Sequence, residues 1–206
     1  MHLPLILAAL AATATAALDA LKIVQQIAPN ATSCPDPVSD PNKECRTAEQ
    51  AAPFIAQSME QYGIYSPAQM AAVVALLAFE SVDFRYKHNV YPGRAGQGTA
   101  NMQTAQYNLL YAKQIEGVAC KVAGIPAVEG QSNQTLNYIL SLVQPDEHNF
   151  GSGPWFLKTQ CGSHVREKLD ENVDQGFEAY MQCVGVSVTE ERRVYFERAK
   201  KAFGLA

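Results

Sequence analysis

The chain has 206 residues, 48% of them hydrophobic and 17% charged, with a formal net charge of −4. That length suits one domain with a sizeable core, and the acidic balance argues against a nucleic-acid surface. No stretch approaches the roughly 18 uninterrupted apolar residues of a membrane-spanning helix.

The first residues, MHLPLILAALAATATAA, read as a secretory signal: a short n-region, an apolar run from Leu3 to Leu10, and small residues suited to cleavage near Ala17. The expectation is therefore a signal peptide over 1–17 and a single domain over 18–206, secreted and without membrane contact once the signal is removed. Two glycosylation sequons, Asn30-Ala31-Thr32 and Asn133-Gln134-Thr135, agree with export.

Five cysteines follow, an odd number for an oxidising compartment. Cys34 and Cys45 bracket the loop CPDPVSDPNKEC and form a natural short staple. On one unbroken helix Cys161 and Cys183 would lie about 33 Å apart, too far to bond. A chain reversal near Asn172–Gly176 would bring them together. The preferred pairs are Cys34–Cys45 and Cys161–Cys183 with Cys120 free; a Cys120–Cys161 pair is the alternative.

The periodicity is helical almost throughout. A short helix is predicted over 18–28, before the Cys34–Cys45 loop. Thr47-Ala48-Glu49-Gln50 and Ser66-Pro67-Ala68-Gln69 read as capping boxes that start helices over 48–62 and 67–80. Residues 84–101 are aromatic and glycine-rich and predict a loop or small β-hairpin. A helix over 103–116, a weaker segment at 117–125 and a helix over 134–144 come next. PDEHNFGSGP, 145–154, reads as loop. Helices near 155–160, 164–173, 177–184 and 190–203 complete a mainly α chain.

On helix 67–80, Glu80 falls on the same stripe as Leu77, Leu76 and Val73. It also sits in the last turn, where the helix dipole disfavours negative charge, so burial and dipole together favour a protonated acid able to donate a proton. A structural alternative is a pair with Arg85 or Arg94.

Phe79-Glu80-Ser81, followed by an irregular loop and by GQGTANMQ at 96–103, resembles the lysozyme-like superfamily. Animal lysozymes carry a Phe-Glu-Ser stretch; lytic transglycosylases carry Glu-Ser and then a Gly-x-x-Met-Gln element. The resemblance covers residues 79–103, and the tail is similar to that of a fungal secreted family. It implies a lysozyme-like helical domain, stapled by disulfides, with residues 84–101 as a cleft wall. It also implies Glu80 as general acid, and Ser81, Gly98, Met102 and Gln103 at the substrate, where Tyr91 offers a stacking face. Glycoside cleavage normally uses two carboxylates. Residues 84–103 contain none, which leaves Asp83, Asp146 and Glu147 as possible second acids, or a single-acid mechanism.

Other chemistries have little support. RAGQGT lacks the Gly-Lys-Ser/Thr of a phosphate loop, and no HExxH, zinc spacing or Gly-x-Ser-x-Gly elbow occurs. What the resemblance implies is a monomeric secreted enzyme without metal or cofactor, cleaving β-1,4-linked N-acetylhexosamine polymers of the peptidoglycan or chitin type. The alternative is a catalytically silent glycan-binding or effector-like protein on the same fold. A disulfide-stapled helical protein unrelated to lysozyme is the third reading.

Overall fold

Six of the nine helices found among the described residues start behind a side chain that accepts a backbone N–H of the first turn: Asp19, Thr47, Ser66, Ser132, Asn172 and Thr189. The structure is a computed structural model that describes residues 19–36 and 38–206. The expected signal segment lies outside the described residues.

The helices are α1 (Ala20–Ile27), α2 (Ala48–Gln61), α3 (Pro67–Glu80), α4 (Ala105–Ala112), α5 (Asn133–Val143), α6 (Asp146–Thr159), α7 (Ser163–Glu171), α8 (Val173–Cys183) and α9 (Glu190–Ala202). A 3-10 turn, Ala119–Val122, separates α4 from α5. The chain is mainly α, as its periodicity predicts. Residues 84–103 carry only isolated antiparallel bridges, His88 to Gly98 and Gly98 to Gln103, so this wall is a loop.

Helix α3 is the centre. Every residue from Ala71 to Ala78 is buried, because α1, α6, α7, α8 and α9 pack around it. A helix apolar on all sides has no solvent face to offer, and PAQMAAVVALLAFE is such a sequence.

PDEHNFGSGP forms the front of α6 rather than a loop. Its composition misleads because its small residues are there for contact. A Cβ on Gly153 would lie 2.9 Å from Leu77 Cδ2 on α3, and one on Gly151 would lie 2.6 Å from the Tyr111 hydroxyl. Pro154 removes the N–H that would bond Phe150 O. The Ser58 hydroxyl, on α2, donates to Ile55 O at 2.8 Å and lies 3.4 Å from the Phe150 carbonyl. Asp146 and Glu147 in the first turn suit the positive end of the helix dipole.

Disulfides join Cys34 to Cys45 and Cys161 to Cys183, and Cys120 is free and exposed. The reversal between α7 and α8 falls on the single extended residue Asn172. Gly176 lies inside α8, and a Cβ there would overlap the backbone of Leu169 on α7. Gly176→Ala is therefore expected to lower stability by about 1–3 kcal/mol, the scale of overpacking, as measured by urea unfolding. A neutral effect would show that the two helices can part at that point.

Candidate functional site

Directly after α3 the chain reverses through three non-glycine residues in left-handed conformation, Val82 (φ 55), Asp83 (φ 55) and Phe84 (φ 63). Each such residue costs about 1–2 kcal/mol, so the turn must be held by its surroundings. Ser81 does much of this. Fully buried, its hydroxyl donates to Leu77 O at 2.6 Å and accepts from Phe84 N at 2.9 Å. The Asp83 carboxylate accepts from Asn30 Nδ2 at 2.7 Å, and Arg46 N donates to Phe84 O at 3.0 Å. The Tyr195 phenol is pushed up to about 12, by burial first and by neighbouring Asp83 second.

The turn leaves Glu80 at the mouth of α3, beside a cleft of about 250 Å³. Glu80 accepts from Arg192 at 2.8 Å, with side chains 20% and 15% exposed respectively. Arg192 comes from α9, and its guanidinium also lies 4.6 Å from the centre of the Phe79 ring. The proton donor expected at Glu80 is thus one half of a part-buried ion pair, and its partner is neither Arg85 nor Arg94.

Part of the lining is polar and comes from one loop: Gln97, Asn101 and Gln103, with Arg94. Behind it, Gln103 Nε2 donates to Asn108 Oδ1 at 2.9 Å, and Asn108 Nδ2 donates to Gly96 O at 2.8 Å. Leu76, Tyr107, Phe156 and Val186 add an apolar part to the lining. Met102, at φ 49, lines it too.

Of the residues singled out from the sequence, the structure gathers Glu80, Met102 and Gln103 at this cleft. It places the others elsewhere. Ser81 and Asp83 belong to the turn. Gly98 is buried against Lys87 and His88, where no Cβ fits. Tyr91 stands 90% exposed at a loop tip. Glu147 is exposed near His148. The sequon residue Asn133 is exposed, whereas the amide of Asn30 is engaged with Asp83.

Asp146 builds a separate network. Lys87 Nζ approaches it at 2.6 Å and Arg46 Nε at 2.8 Å. Beside it, the buried Glu44 carboxylate accepts from Lys87 N and contacts His88 Nδ1 at 2.7 Å. Burial pushes Asp146 up, yet the hydrogen bonds from Lys87 and Arg46 outweigh that and hold it below the usual carboxylate value. Burial likewise lowers the Lys87 ammonium, against the pull of Asp146. Among the described residues no group of three or more His, Cys, Asp or Glu side chains converges to hold a metal ion.

Sequence reasoning missed Arg192, Asn101 and Asn108. Arg192 is 112 residues from Glu80, and no local signal ties the two.

Comparison with known proteins decides against the lysozyme-like reading. The chain is 58% identical over 157 residues to a protein described as a bifunctional dioxygenase (DOX)-epoxy alcohol synthase (EAS) of Fusarium oxysporum (strain Fo5176). The match covers 76% of this chain and 12% of that protein. The chain therefore spans a small fraction of the relative's length. No family description matches it, and no solved structure does. A match over most of the chain outweighs a likeness confined to residues 79–103, where a few short motifs coincide around an acidic helix end. The lysozyme-like assignment is corrected accordingly. With it fall the glycosidase or lytic transglycosylase activity, the role of Glu80 as acid on a glycosidic oxygen, the peptidoglycan and chitin substrates, and the glycan-binding or effector-like alternative on that fold.

A depressed carboxylate contributes stability that is complete above its unfolded value, about 3.9, and that is lost as pH falls through its folded value. Asp146→Asn is expected to make unfolding stability less sensitive to acidification below about pH 4, and to lower stability at neutral pH by leaving Lys87 short of its carboxylate. Urea unfolding at pH 3 and pH 6 checks both signs; equal acid sensitivity in the two proteins would remove Asp146 from the account.

Proposed function

We propose that this chain is an exported, disulfide-stapled helical binding domain that seats an oxygenated amphipathic molecule in the cleft beside Glu80. It would serve the kind of chemistry named for its relative. The observation that carries this reading is the cleft's mixed lining, amide side chains from one loop together with apolar side chains of α3, α4 and α6, around about 250 Å³. Small-molecule sites are concave and mostly apolar, with a few placed polar groups, and an epoxy alcohol on a hydrocarbon chain has both characters.

The apolar run before Ala17 and the two disulfides support export of one domain. The Glu80–Arg192 pair supports binding: it sets a fixed dipole at the cleft edge, supplied by two elements far apart in sequence. Two other hollows fit the reading less well. One, of about 280 Å³ between α1, α2 and α3, is apolar apart from Glu60 and the Tyr65 hydroxyl at its lining. The other, around Lys87 and His88, is filled with charges that answer one another.

The test is titration of the folded protein with a long-chain epoxy alcohol, followed by calorimetry. Saturable binding is expected, and Met102→Ala should weaken it by about tenfold, the scale of losing a buried methionine contact of 1.5 kcal/mol or so. An absence of binding would sink the proposal. Binding unaffected by Met102→Ala would move the ligand away from this cleft.

A further inference from the structure

We infer that Glu44 and His88 form a carboxylate–histidine dyad that activates water against a small carboxylic ester, in the hollow of about 620 Å³ between the segment 42–46 and α5. This hollow shares no lining residue with the cleft beside Glu80, so the inference is independent of the cleft reading.

The dyad is built outward from a buried carboxylate. Glu44 is 8% exposed and accepts from Lys87 N at 2.8 Å. His88 Nδ1 lies 2.7 Å from each of its two oxygens. A carboxylate can only accept, so Nδ1 carries the ring hydrogen, and Nε2 of the neutral imidazole keeps its lone pair. The backbone is held on both sides of the ring. Thr99 N donates to Lys87 O and Asn89 N to Gln97 O, each at 2.9 Å. A Cβ on Gly98 would lie 3.0 Å from His88 Cα, so the loop is packed closely behind the imidazole. A base whose tautomer and orientation are set by a third group is the arrangement that general-base catalysis uses.

Most polar atoms around this hollow are already engaged. Lys87 Nζ donates to Gln144 O at 3.0 Å and to Asp146 at 2.6 Å. Arg46 gives Nε to Asp146 and Nη1 to the carbonyls of Lys43 and Cys45. Two atoms are not engaged. His88 Nε2 and Arg46 Nη2 have no partner among the described residues, and neither is sealed from solvent. His88 and Arg46 both line the hollow, where Leu140 and Pro145 add apolar surface for a short acyl chain. Ester hydrolysis needs a lone pair to deprotonate water and a donor for the carbonyl oxygen that gains charge. In the step, Nε2 takes a proton from water as the water oxygen bonds to the carbonyl carbon, and the negative carbonyl oxygen accepts from Arg46 Nη2. The bond to the alcohol oxygen then breaks, and the proton on Nε2 passes to the departing alkoxide. Acid and alcohol leave, and the dyad returns to its first state. His88 is the catalytic residue and Glu44 a positioning residue.

Hydrolysis of ethyl butyrate by the folded protein, followed by proton NMR, tests this. The rate is expected to exceed that of an equal concentration of free imidazole by about a hundredfold, the lower end of what a positioned base contributes. His88→Gln, shown to be folded by circular dichroism, should lose that excess. Glu44→Gln still offers an oxygen to Lys87 N, and it should lower kcat by about tenfold or more with KM unchanged, the mark of a base that has lost its orientation. Imidazole added to folded His88→Ala should restore turnover beyond its own rate on the ester, a rescue that a merely structural loss would not allow. A wild-type rate no faster than free imidazole would overturn the inference. An undiminished rate in folded His88→Gln would do the same, and an undiminished kcat in Glu44→Gln would remove the dyad. None of these outcomes touches the cleft beside Glu80, which the epoxy alcohol titration tests separately.

Discussion

The left-handed reversal through Val82, Asp83 and Phe84 is the constraint on which the cleft depends. Three successive L-residues in this conformation would not hold by themselves. They hold because contacts arrive from three directions. Asn30 takes the Asp83 carboxylate, Arg46 closes on Phe84 O, and the buried Phe84 ring meets Phe150 edge-on at 5.6 Å. Were α3 to run on by another turn, Glu80 would lie inside a continuous rod. Stopped abruptly, it ends beside the loop that carries Gln97, Asn101 and Gln103.

The strap Glu44-Cys45-Arg46 extends the same logic to the next segment. Cys45 is tied to Cys34, and the residues on either side reach outward. Glu44 grips Lys87 N and His88, while Arg46 grips Phe84 O and Asp146. The disulfide thus fixes the base of the cleft loop indirectly, through charged groups that cross from the first loop to the front of α6. Burial of these charges is tolerable because each is paired and hydrogen-bonded.

Much of the helical frame is legible in the sequence, for local reasons. The box at Thr47 and the single cap at Ser66, whose Gln69 side chain turns to Asp170 instead of closing a box, place α2 and α3 within a residue of their observed bounds because a cap is a contact between neighbours three positions apart. The front of α6 is illegible for the opposite reason. Its glycines and proline look like punctuation, and only the positions of Leu77 and Tyr111 show that the small size of Gly151 and Gly153 is a requirement of packing. The apolar stripe of α3 does point to Glu80 as an unusual acid, but nothing near it in the chain names Arg192. The likeness over residues 79–103 was similarly local. It spoke for a few side chains around one helix end, and the long match to the Fusarium protein corrects the function it implied.

The Glu80–Arg192 contact has a consequence for how the molecule is made. Synthesis runs from the N-terminus, and the acid is laid down 112 residues before its partner. While the intervening helices collect around α3, Glu80 must stay hydrated or borrow another cation. The helix that neutralises it, α9, is made after the other eight found among the described residues. The ion pair at the cleft edge therefore forms only once α9 has been made, whichever of the earlier elements has docked first.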